Sequence, residues 1–67
     1  MTTGEYIKAR RVQIGMTQQQ LGELVGYTGR TAESMVQQWE RGARPVPQKK
    51  MKPLAEILNV PVVSLLP

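Results

Sequence analysis

The chain has 67 residues, nine Lys or Arg against five Asp or Glu, a net charge of +4, and neither cysteine nor histidine. That length allows one domain, residues 1–67, of modest stability; the missing Cys and His exclude disulfides, thiolate or imidazole metal sites, and mechanisms built on a His base or Cys nucleophile. The acids are scattered, no apolar run approaches the roughly 20 residues that span a bilayer, and the N-terminus lacks a signal-peptide core, so no enzyme, catalytic residue, cofactor, metal or membrane partner is expected.

Periodicity reads helical throughout, and no segment alternates with a period of two. A first helix is expected from Gly4 to Ile14. Thr2 with Glu5 makes a capping box, and Gly15 supplies a left-handed stop. Its inner face carries Ile7, Arg11 and Ile14. A second helix begins at Thr17, where Thr17-Gln18-Gln19-Gln20 forms another capping box, and ends after Val25 at Gly26. Leu21, Leu24 and Val25 should face inward, leaving Gln18, Gln19 and Glu23 toward water or a partner.

The third helix is expected from Arg30 to Arg41, stopped by Gly42. Ala32, Met35, Val36 and Trp39 recur at the spacing of one buried stripe. The other side presents Arg30, Glu33, Ser34, Gln37, Gln38 and Arg41, whose hydroxyl, amide and guanidinium groups match base edges, although any surface helix has a polar side. A fourth helix either runs from Pro47 to Leu58 with a kink at Pro53, or opens at Pro53 after a short turn; Leu54, Ile57 and Leu58 are core in both versions. A last short turn, Val62 to Leu66, closes the core. The fold class is therefore all-α, a bundle of about five short helices.

Charge is uneven along this chain. Arg41, Arg44, Lys49, Lys50 and Lys52 fall within twelve residues that hold no acid. Such a stretch suits a polyanion or serves as a solvated surface. Arg11 lies on the apolar stripe of the first helix and Glu40 at the inner edge of the third. Desolvating either ion alone costs several kcal/mol, so the two are expected to pair.

The run from Ile7 to Leu21, with Arg-x-x-x-Gly-Met-Thr-Gln-x-x-Leu from Arg11, resembles the opening of Cro- and repressor-type (XRE-like) helix-turn-helix proteins. So do Trp39-Glu40-Arg41-Gly42 and the ending from Leu54 to Leu66. In that family the matching Arg and Glu pair between helices. One departure concerns the link from Gly26 to Gly42, about four residues longer than usual, with Tyr27-Thr28-Gly29-Arg30 the excess. Either the turn lengthens or the third helix gains a turn at its start.

The resemblance implies double-stranded DNA as the partner, with the third helix in the major groove and the second across the backbone. Glu33, Ser34 and Gln38 are the first choices for reading bases, with Arg30, Thr31 and Gln37 next. Gln18 matches a glutamine that the family sets on a phosphate, and Arg41, Arg44, Lys49 and Arg10 are expected on the neighbouring backbone. It further implies a transcriptional regulator of the bacterial cytoplasm or nucleoid, acting as a homodimer on a palindromic operator, and phage or prophage Cro-like if these 67 residues are the whole gene product. Val62, Val63, Leu65 and Leu66 either serve that dimer or, for at least half of them, fill the core. The rival readings are an antitoxin of the same fold and a protein-interaction module such as an antirepressor.

Overall fold

Thr2 sets the first helix. Its hydroxyl accepts the Glu5 amide at 3.1 Å, while the Glu5 carboxylate accepts the Thr2 amide at 2.8 Å. This reciprocal cap opens α1 (Thr3–Ile14), and Gly15, in a left-handed conformation, closes it. Thr17 and Gln20 repeat the arrangement at the head of α2 (Gln18–Leu24). Both caps fall where Thr-x-x-Glu and Thr-x-x-Gln place them in the sequence.

The computed structural model describes residues 1–66, with four α-helices and a 3-10 helix. A turn over residues 25–28 leads into α3 (Gly29–Arg41), which Gly42 terminates. Of the four excess residues, Tyr27 and Thr28 lie in this turn, and Gly29 and Arg30 open α3. α4 (Gln48–Leu58) is a single helix that carries Pro53 inside it. Proline has no N–H to offer the Lys49 carbonyl, yet the helix continues to a left-handed Asn59. The fifth element is a 3-10 helix (Val62–Leu65) rather than an α-helix. Among the described residues, no helix is long and apolar enough to cross a membrane.

One core joins all five elements. Ile7, Leu21, Val36, Leu54, Leu58 and Leu65 are fully buried at its centre, with Val25, Trp39, Val46 and Ala55 around them. Two glycines let backbones meet. A Cβ on Gly4 would stand 2.5 Å from the carbonyl oxygens of Trp39 and Glu40, and one on Gly22 would stand 2.7 Å from Ala32 Cα. Real Cβ atoms do not approach so closely, so α1 and α2 lie on α3 through bare backbone.

These glycine contacts overturn part of the expected inner faces. Leu24 is 58% exposed and Ile14 38%. On α2 the buried residues are Leu21 and Gly22, followed by Val25 at its cap. At 100° per residue, Leu24 then points well away from that direction. On α1 the buried set is Gly4, Ile7 and Arg11, which turns Ile14 toward the edge. Of the four terminal apolar residues only Leu65 is buried; Val62, Val63 and Leu66 are exposed, so fewer than half fill the core.

Candidate functional site

The outward side of α3 forms a ridge. Arg30, Ser34, Gln37 and Arg41 follow one another at i, i+4, i+7 and i+11, opposite the buried Ala32, Val36 and Trp39. Thr31 and Gln38 flank the ridge on one side and Glu33 on the other. At 1.5 Å per residue the two guanidinium-bearing positions stand about 16 Å apart along the axis. Between them lie a hydroxyl and amides. Gln38 Nε2 donates to Ser34 Oγ at 3.0 Å, so these two present themselves as a joined pair. Arg30, Thr31, Glu33, Ser34 and Gln37 are all exposed, and Gln38 is half-buried.

Beneath the ridge, an ionic knot fixes α3 against α1 and the head of α2. Arg11 Nε donates to Glu40 Oε2 at 2.6 Å, and its Nη2 to Oε1 at 3.2 Å. The two side chains are 10% and 3% exposed, so water screens the pair little. Arg11 Nη1 also donates to the Met16 carbonyl at 2.8 Å, which satisfies a further N–H of the fork. Gln18 Nε2 donates to Glu40 Oε1 at 3.0 Å. The carboxylate therefore ends with three donors, as a buried charge requires.

That geometry changes how Gln18 is used. Its amide, expected to meet a phosphate, is oriented by Glu40 at the head of α2. Arg10 is engaged elsewhere: Nε donates to the Leu58 carbonyl at 2.7 Å and Nη1 to Gln13 Oε1 at 3.0 Å, tying α1 to the last turn of α4. Arg41, Arg44 and Lys49 are exposed, and among the described residues none of them has an acidic partner. They remain available to an anion. Lys50, counted with them in the basic stretch, is not: its Nζ donates to the Val25 carbonyl at 2.8 Å and sits 4.8 Å from the Tyr27 ring centroid.

Residue patterns alone did not single out Gly4, Gly22, Tyr27 or the structural use of Lys50. Gly22 left one signal. A glycine inside a helix costs about 1 kcal/mol relative to alanine, so it marks a place where something comes close. Tyr27 left none, because its role depends on the edge-on packing against Trp39, with centroids 5.9 Å apart and planes at 61°. The Trp39 indole N–H is buried without a hydrogen-bond partner among the described residues.

A family model described as helix-turn-helix matches residues 7–65. Two curated relatives, each named an uncharacterized HTH-type transcriptional regulator, come from Sinorhizobium medicae (strain WSM419) and Rhizobium meliloti (strain 1021). Each is 37% identical over 59 residues, covering 88% of this chain and 40% of the relative. The chain therefore spans less than half the length of the curated relatives it matches. No solved structure matches.

Proposed function

This chain belongs to the XRE-type helix-turn-helix family, and from that premise we propose that it is a sequence-specific, double-stranded-DNA-binding transcriptional regulator. The observation that carries the proposal is the α3 ridge: exposed hydrogen-bonding side chains at one helical face, with Arg41, Arg44 and Lys49 nearby in sequence and without an acidic partner among the described residues. An α-helix fits the major groove, where amide, guanidinium and carboxylate groups discriminate base pairs.

In this reading α3 lies in the groove and α2 crosses the phosphate backbone. Ser34 and Gln38 meet base edges as a pair, Gln38 toward adenine. Glu33 accepts from a cytosine amino group, and Arg30, Thr31 and Gln37 read neighbouring positions. Arg41, Arg44 and Lys49 hold phosphates, and Gln18 offers its amide to another without leaving Glu40. Arg10, bonded to the Leu58 carbonyl, contributes least. Two copies bind a palindromic operator as a phage Cro-like repressor does, since one module this small makes few base contacts. Two relatives named as HTH-type transcriptional regulators support the regulatory role.

Selection of bound sequences from a random duplex pool tests the proposal. The expected product is an inverted repeat whose half-sites are centred about 34 Å apart. Absence of any salt-sensitive affinity for duplex DNA would overturn it.

A further inference from the structure

α3 begins without the device that begins α1 and α2. Its N-cap residue, Thr28, makes no side-chain cap bond. Two glycines with positive φ flank that start, Gly26 at 109° and Gly29 at 51°, so the local sequence leaves the turn permissive. Something else must decide where the helix starts. The side chain that reaches the turn comes from α4. Lys50 Nζ donates to the Val25 carbonyl, at the negative end of α2, and lies over the Tyr27 ring. Tyr27 in turn packs edge-on against Trp39, near the far end of α3. A Cβ on Gly26 would stand 2.9 Å from Lys50 Nζ, so the glycine leaves the space that the ammonium occupies.

We infer that Lys50 is a positioning residue for the reading face: by capping α2 and clamping Tyr27 it fixes where α3 begins, and hence where Arg30 and Thr31 stand. The inference rests on the DNA-reading function proposed above. It separates Lys50 from its neighbour Lys49, with which it shares the basic stretch. Lys49 is exposed and adds to phosphate attraction; Lys50 is half-buried and has its ammonium committed within the protein.

The test compares Lys50→Met, Lys50→Arg, Lys49→Ala and the charge-neutral Tyr27→Leu in the full chain. Each is measured for duplex affinity against salt, for base preference by selection, and for amide hydrogen exchange without DNA. Lys49→Ala should lower the salt slope by about one unit and leave base preference alone. Lys50→Met and Tyr27→Leu should keep the slope and lose roughly tenfold in discrimination at base pairs read by the first turn of α3. The amides of Tyr27 and Ala32, which donate to the Gly22 and Thr28 carbonyls, should exchange at least about tenfold faster in both variants, with the rest of the chain unchanged. Lys50→Arg should restore preference and protection, because a guanidinium can donate to the same carbonyl and stack on the same ring.

A one-unit loss of slope in Lys50→Met would make it a phosphate contact and overturn the inference. So would unaltered preference and exchange. Were the parent chain to bind no duplex, the proposed function would fall on that result, and the exchange rates would still support or overturn the clamp.

Discussion

Gly22 has no side chain to contribute, yet the approach of α2 to α3 depends on it. A methyl group there would have to displace the Ala32 backbone, which is helical and cannot yield alone. Gly22→Ala should therefore lower stability by about 1–3 kcal/mol, despite the gain of about 1 kcal/mol in helix propensity; a urea midpoint equal to the parent's would show that the helices can part freely. Glu40 is the second such residue. Glu40→Gln leaves the buried Arg11 guanidinium without its counter-charge, at a cost of about 3–5 kcal/mol. Pairing it with Arg11→Met should recover most of that in thermal denaturation, because the buried cation is then gone as well. Glu5 gives the pH prediction. Its carboxylate is fully exposed, and the backbone and hydroxyl hydrogen bonds from Thr2 hold its pKa below the ordinary value. The stability it contributes is fully present above the unfolded pKa of about 4.3 and is lost as pH falls through the lower folded value. Glu5→Gln should flatten the acid limb of the melting-temperature profile, and an identical limb would remove the cap from the account.

At the scale of whole elements, α3 and the segment after it should divide the labour on DNA. Gln38→Ala removes an amide from the ridge and should relax preference at one base pair, by about 1–3 kcal/mol, without altering salt dependence. Arg44→Ala should weaken binding to specific and random duplexes alike and reduce the salt slope by about one unit. Titrations at several salt concentrations on both kinds of DNA distinguish them, and the reverse pattern would exchange their roles. The helix caps were legible in the sequence because Thr-x-x-Glu, Thr-x-x-Gln and the stop glycines act within a few residues of themselves. The inner faces of α1 and α2 were only half legible. Hydrophobic periodicity sees Leu24 and Ile14 but not Gly4 and Gly22, and where backbone meets backbone the glycine defines the inside. Pro53 was ambiguous for a related reason: local chemistry disfavours it within a helix, and tertiary packing of Leu54, Ala55 and Leu58 outweighs that. On α3 the ridge followed directly from its stripe, whereas the assignment of Lys50 needed a contact 25 positions away.

For the molecule as a whole, the proposed two-fold arrangement puts a demand on its surface. Val62, Val63 and Leu66 are exposed while Leu65 between them is buried, and in the proposed assembly these three serve the second copy. Val63→Asp should therefore weaken binding to a full palindrome while leaving affinity for an isolated half-site unchanged, as read by mobility shift on both probes. Equal affinity for both probes in parent and variant would remove this end of the molecule from the assembly. A different consequence follows from the way the ridge stands clear of the frame beneath it. The ionic knot and the glycine crossings hold α3 by its inner side, while Arg30, Thr31, Glu33, Ser34 and Gln37 are exposed and Gln38 is half-buried. Target choice and durability can accordingly be altered one without the other. A library randomised at 30, 31, 33, 34, 37 and 38 should yield proteins that melt together and address unrelated operators, which makes this small bundle a chassis for retargeting.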